Sequence, residues 1–121
     1  MGQHAAAIER WRVQEELCQR NGLRHGLAMA LLCQGSAWSD LGNDALAYQL
    51  LTKAQAIFRD LQDPKGFALC LTNLSVILAN KRDFDLARKV HRQARTLASQ
   101  NGLTEIIDRL DSLEGEINRR Q

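Results

Sequence analysis

The side chains that could act as nucleophiles, bases or metal ligands are few and scattered in this chain of 121 residues. His4, His25 and His91 fall in no metal-ligand spacing, and none belongs to a catalytic motif with a cysteine or serine. No glycine-rich phosphate-binding loop is present either. We therefore expect packing or surface roles for the histidines, and no catalytic residue, metal site or cofactor.

The cysteines point to a compartment rather than to a reaction. Cys18, Cys33 and Cys70 are odd in number, and each lies within a helical pattern, where a cysteine acts as a small apolar side chain in a reducing environment. Nothing at the N-terminus resembles a signal peptide, and no apolar run reaches the roughly 18 residues of a membrane span. We therefore expect a cytoplasmic protein without a membrane partner.

Composition and charge favour an all-α fold and give little support for nucleic-acid binding. Leucine and alanine dominate, with Gln, Arg and Glu between them, and the formal net charge is only +2. Six basic residues accompany two acidic ones from Lys81 to Arg95, whereas five acidic residues from Glu105 to Glu116 accompany only Arg109. Two adjacent helices of opposite sign explain this distribution, and a dedicated charged binding face is the alternative.

Helix start and stop signals divide the chain. Asn21-Gly22 and Asn101-Gly102 are typical helix ends, since glycine accepts the left-handed conformation of the last turn. Asp63-Pro64 is typical of a helix start, because Asp63 caps free amides and Pro64 needs no donor in the first turn. The pattern predicts six helices, at residues 4–20, 24–41, 44–61, 65–80, 84–100 and 104–119.

Two patterns recur after forty residues. One is a block of six residues, and the other is a small-large-small spacing on the helix that follows the block. A fixed period of this size indicates stacked repeats, whose grooves bind other chains, and the short links require antiparallel neighbours. The recurring segments are residues 26–31 with 66–71, and Ala47, Leu51 and Ala54 with Ala87, His91 and Ala94.

This spacing resembles the tetratricopeptide repeat, with a large residue, Leu-Gly and an aromatic on the first helix and small, large and small residues on the second. Gln34 and His91 depart from the pattern, and the repeat is six residues longer than the usual 34. HEAT repeats share the period and remain the second interpretation. The matching positions are Leu31, Gln34, Gly35, Trp38, Ala47, Leu51 and Ala54, then Leu71, Leu74, Ser75, Leu78, Ala87, His91 and Ala94.

The resemblance implies one domain over residues 1–121, a short right-handed solenoid of antiparallel helical hairpins. Residues 24–61 and 65–100 are complete repeats, residues 4–20 a second helix without its mate, and residues 104–119 a first helix or cap. Half-repeats at both ends resemble a piece of a longer array. Alternatively, they pair between molecules and produce a homo-oligomer.

The resemblance also implies a binding surface, because the first helix of each hairpin lines the concave side of such arrays. Asn73 is the leading candidate, since a side-chain amide offers a donor and an acceptor to any peptide unit; it could equally bond a neighbouring helix or water. The basic residues with which some members bind a terminal carboxylate are missing. The candidate partner-binding residues are Met29, Leu32, Cys33, Ser36, Asp40, Leu69, Thr72, Asn73, Val76 and Asn80, and the last helix would add Asp108, Asp111, Ser112 and Arg119.

The expected function is a non-catalytic protein-protein interaction module that binds a peptide or a partner helix in this groove. One alternative is a sensor or regulatory fragment of a larger signalling ATPase or transcription regulator. Another is a helical-repeat RNA-binding module, in which the basic helix that carries Arg88, Lys89, Arg92 and Arg95 would contact phosphates.

Overall fold

A computed structural model describes residues 2–121, and within that range every regular element is an α-helix. Each observed helix boundary lies within two residues of its expected position, so the prediction of six helices and an all-α fold is confirmed. The helices are α1 (Gly2–Arg20), α2 (Arg24–Asp40), α3 (Asp44–Asp60), α4 (Pro64–Asn80), α5 (Phe84–Gln100) and α6 (Thr104–Arg120).

The five turns between the helices share one backbone conformation. Each contains a residue with a positive φ, and these residues are spaced by twenty along the chain. The forty-residue recurrence is therefore two copies of a shorter unit, a helix of about five turns and a three-residue link. Glycine adopts this left-handed conformation without steric cost, whereas Gln62 and Arg82 do so against a penalty of about 1 kcal/mol. The five residues are Gly22 (67°), Gly42 (87°), Gln62 (55°), Arg82 (64°) and Gly102 (66°).

Side-chain caps begin three of the helices. The side chains of Asn43, Asp63 and Asp83 accept hydrogen bonds from backbone amides three residues on, at 3.2, 3.2 and 3.3 Å. Pro64 occupies the first turn of α4 after Asp63, as expected for a proline that needs no donor there. Helices α2 and α6 begin without a side-chain cap.

The chain divides into two compact units, one ending at Gln62 and the other spanning Asp63–Gln121. In the first unit α2 packs against both α1 and α3. In the second unit α5 packs against α4 and α6, and α6 also contacts α4. Each unit therefore contains one complete helical hairpin and one further helix.

Small residues set the close approach of the helices in both hairpins. The four alanines of the small-large-small pattern are fully buried, at Ala47, Ala54, Ala87 and Ala94. In the first unit a Cβ added at Gly35 would lie 2.8 Å from Cγ of Leu51, so only glycine fits there. In the second unit the hydroxyl of Ser75 donates to the carbonyl of Ala87 at 2.9 Å.

Both departures from the repeat pattern have a structural reason. Gln34 is buried in α2 and donates to the Oε1 of Glu15 on α1 at 2.7 Å. His91 is buried in α5, and its Nε2 donates to the carbonyl of Leu110 on α6 at 2.7 Å, since a carbonyl only accepts. In each case a hydrogen bond to a neighbouring helix, α1 for Gln34 and α6 for His91, replaces an apolar contact.

Candidate functional site

On α2, the predicted binding residues lie along one side of the helix but differ in how much surface they offer. Met29, Cys33 and Ser36 are half-buried, whereas Leu32 is buried and contributes to the core of the first unit. Asp40 is exposed, and its carboxylate lies 3.5 Å from the Nε2 of His4 on α1. The accessible part of this surface is therefore mildly apolar, with one acidic group at its C-terminal end.

On α4, three predicted residues form an accessible stripe. Leu69, Asn73 and Val76 are half-buried and are spaced by four and three residues, which places them on one face of the helix. Thr72 is buried, and its hydroxyl donates to the carbonyl of Ala68 at 2.8 Å. Its hydroxyl is therefore already committed to the helix backbone.

Asn80, at the C-terminal end of the same helix, is also engaged. Its Oδ1 accepts from both terminal nitrogens of the Arg120 guanidinium on α6, each at 3.2 Å. This contact joins α4 to α6 within the second unit. A partner would have to compete with Arg120 for this acceptor.

Asn73 differs from Thr72 and Asn80, because its side-chain amide has no hydrogen-bond partner among residues 2–121. The amide is not sealed from solvent either, since the one buried and unbonded side-chain oxygen or nitrogen in this range is Oδ1 of Asp44. A half-buried amide with an unused donor and acceptor has the chemistry needed to bind a peptide unit. The alternative role considered for Asn73 was a hydrogen bond to a neighbouring helix, and no such bond is observed among residues 2–121.

A hollow of about 300 Å³ adjoins the stripe at the N-terminal ends of α4 and α6. Leu69 forms part of its wall, and the charged groups around it are Lys65, Arg109 and Glu105. Sequence reasoning missed Lys65 and Arg109. The signal was present, because Lys65 precedes Leu69 by one helical turn and Arg109 is the one basic residue in the acidic segment of α6. The lining residues are Lys65, Leu69, Gly102, Leu103, Thr104, Glu105, Ile106 and Arg109.

Two of the cysteine thiols, Cys33 and Cys70, are shielded from water enough to lower their reactivity. Burial, followed by the negative charge of Asp63, raises the pKa of Cys70 to about 12, from an ordinary value of 9.0. Burial also raises the pKa of Cys33. Because the thiolate is the reactive form, neither side chain is poised as a nucleophile. All three cysteines are free, and residues 2–121 contain no group of three or more potential metal ligands.

Two basic residues of α5 contact the C-terminal part of the chain, one through an ion pair and one through hydrogen bonds to side-chain amides. The guanidinium of Arg95 pairs with Asp111, and that of Arg88 donates to Asn118 at 2.8 Å and also to Gln121. This contact supports attraction between adjacent helices of opposite sign as the reason for the uneven charge. In the part of the chain that the structure describes, no helix is long and apolar enough to cross a membrane.

Comparison with known proteins identifies the fold. No protein-family model matches the sequence, and no curated protein matches it either. Among solved structures, the crystal structure of the apo form of RapI is similar, with a TM-score of 0.88 over 95% of this chain and 22% sequence identity. At this identity the likeness establishes a helical-repeat fold and nothing finer. This chain covers 42% of the RapI chain.

Proposed function

We propose that this chain is a tetratricopeptide-like interaction module that binds a peptide through the exposed sides of its first helices. The observation that carries the proposal is the unbonded, solvent-accessible amide of Asn73 between the apolar side chains of Leu69 and Val76. Apolar contact supplies affinity, and the amide holds the peptide backbone whatever its sequence. On α2, Met29 and Cys33 offer a similar surface without such an amide.

The packing of the hairpins supports the tetratricopeptide assignment over HEAT repeats. The four alanines that the signature requires are fully buried, and at Gly35 a Cβ would collide with Leu51 of the second helix. Three free thiols suit a reducing compartment, which fits the expected cytoplasmic location. No step of this function requires a nucleophile, a metal or a cofactor.

Pairing of two copies through α6 has less support. Glu114 follows Leu113 in α6 as Gly35 follows Gln34 in α2 and Ser75 follows Leu74 in α4. Gly35 and Ser75 are covered by the second helix of their own hairpin, whereas Glu114 is exposed and carries a long charged side chain. A second copy could not place a helix against α6 in the same way without burying that charge.

A second candidate function is the binding part of a larger regulator. The observation that favours it is the comparison with RapI, whose chain is more than twice as long as the matched region. In that case the same α4 surface would bind the peptide, and a domain outside this chain would respond.

Binding of a random peptide pool tests the proposal. We expect immobilised protein to retain peptides above the level of blank beads, and Asn73→Ala to lower the affinity of the retained peptides about tenfold, since two hydrogen bonds are lost. Gln93→Ala is the matched control, because Gln93 carries the same amide on the exposed side of α5. The free energy of unfolding in urea should be the same for Asn73→Ala and Gln93→Ala. Retention that does not depend on Asn73 would refute the proposal.

A further inference from the structure

We infer that the peptide partner is acidic and that one of its carboxylates binds in the hollow between Lys65 and Arg109, an inference that rests on the proposed function. The site is distinct from the α4 stripe but continuous with it. Leu69 belongs to both the stripe and the wall of the hollow. The carboxylate would therefore fix the direction and register of a chain that Asn73 holds by its backbone.

The two basic side chains at the hollow are available to bind a ligand. Lys65 and Arg109 make no ion pair within residues 2–121, and both side chains are exposed at the rim. Glu105 offsets one of the two positive charges, so the rim has a formal charge of +1. A carboxylate from a ligand would restore neutrality, and a guanidinium binds it with two parallel hydrogen bonds.

The spacing along α4 suits an extended peptide. Lys65, Leu69, Asn73 and Val76 follow one another at intervals of four, four and three residues, so they lie on one face. Lys65 and Asn73 are separated by about 12 Å along the helix axis, at 1.5 Å per residue. An extended chain covers that distance in three or four residues. The carboxylate should accordingly lie three or four residues from the peptide unit that Asn73 binds.

The lining of the hollow favours a peptide over a single-stranded nucleic acid. Its apolar side chains are aliphatic, at Leu69, Leu103 and Ile106, and none of its lining residues is aromatic. Binding of single strands depends on aromatic stacking and on a longer positively charged groove. Aliphatic side chains beside two cations instead suit a carboxylate that has an apolar residue next to it.

Two synthetic peptide pools test the inference, each with random sequences of about ten residues. One pool is amidated at the C-terminus, so its carboxylates come from Asp and Glu alone, and the other has a free C-terminal acid. We expect the wild-type chain to enrich sequences rich in Asp and Glu from the amidated pool, because the carboxylate in the hollow belongs to an acidic side chain. Enrichment confined to the free-acid pool and irrespective of sequence would overturn the inference.

Charge reversal at the hollow provides the discriminating variants. Lys65→Glu and Arg109→Glu should each weaken binding of the enriched peptides about fivefold, as expected for an exposed ion pair. Arg92→Glu is the matched control, since it changes the formal net charge by the same two units on α5, outside the hollow. Neutral Lys65→Gln and Arg109→Gln variants should give smaller losses, which would exclude misfolding as the cause.

The outcomes separate the two proposals. Peptide binding that requires Asn73 but is unchanged by Lys65→Glu and Arg109→Glu would overturn the inference and leave the proposed function intact. An equal loss with Arg92→Glu would also overturn it, because net charge alone would then explain the effect. No retention from either pool, or retention independent of Asn73, would overturn the proposed function and the inference with it.

Discussion

Two buried polar side chains link neighbouring helices through hydrogen bonds. Gln34 bonds α2 to Glu15 on α1, and His91 bonds α5 to the backbone of α6. A buried hydrogen bond contributes about 1 kcal/mol when made, but leaving one partner unsatisfied costs about 1 to 3 kcal/mol. These two side chains therefore specify the register of their helices more than they add to stability.

Cys70 gives a pH-dependence that can be measured. Its side chain is fully buried, and its pKa is raised from 9.0 to about 12. The stability that the neutral thiol contributes is fully present below pH 9.0 and is lost as the pH rises towards 12, because only the unfolded chain ionises in that window. We expect the free energy of unfolding in urea to fall by up to about 1.4 kcal/mol per pH unit there.

The variant Cys70→Ala isolates this contribution. All other ionisable groups are the same in the two proteins, so the difference between the curve of this variant and that of the wild type belongs to the thiol. Parallel curves between pH 8.5 and 11 would contradict the burial of a neutral thiol at this position.

At the scale of helices, Gly35 in α2 and Gly115 in α6 have opposite roles. A Cβ at Gly35 would meet Leu51 at 2.8 Å and the carbonyl of Ala47 at 3.4 Å, whereas one at Gly115 would meet only the end of Arg119 at 3.9 Å. We expect Gly35→Ala to destabilise the protein by about 1 to 3 kcal/mol through overpacking. Gly115→Ala should stabilise it by about 0.5 to 1 kcal/mol, because alanine favours a helix.

Urea unfolding of the two variants side by side measures this difference. Both changes add one methyl group to a helix interior, so the gain in helix propensity is common to the pair and cancels. Equal shifts of the same sign would show that α2 and α3 do not approach as closely as the structure indicates.

For the molecule as a whole, a net charge of +2 and the pairing between α5 and α6 limit what it can bind by charge alone. Arg88 and Arg95 are already engaged by α6, and Lys89 and Arg92 remain. A site for single-stranded RNA that used all four residues would show a log-log salt slope of about −3. A site limited to Lys89 and Arg92 would show a salt slope about half as steep.

Salt titration therefore distinguishes the candidate partners of the whole chain. We expect the affinity for the selected peptides to fall less than about tenfold between 50 and 500 mM salt, since apolar contact is not screened. Oligouridine should not bind measurably at 150 mM salt. Fluorescence anisotropy would measure both. Tight RNA binding with a slope near −3 would favour the nucleic-acid function that the basic helix first suggested.

The sequence by itself determined the helices and their limits. Apolar periodicity, Asp63-Pro64 and the Asn-Gly pairs are local signals, and local signals act through backbone geometry within one or two turns. The recurrence of small residues likewise predicted where helices approach closely, since a methyl group or a hydrogen is a requirement of packing that any neighbour imposes.

Only the tertiary structure decided which of the candidate groups are free. Thr72, Asn80 and Asn73 look equivalent in sequence, but the first is bonded to its own helix, the second to Arg120 forty residues away, and the third to nothing among residues 2–121. The hollow beside Leu69 likewise depends on α6 lying against α4, which brings Arg109 and Lys65 to one rim. Hydrogen-bond partners and cavities depend on distances between segments remote in sequence, and periodicity carries no information about those distances.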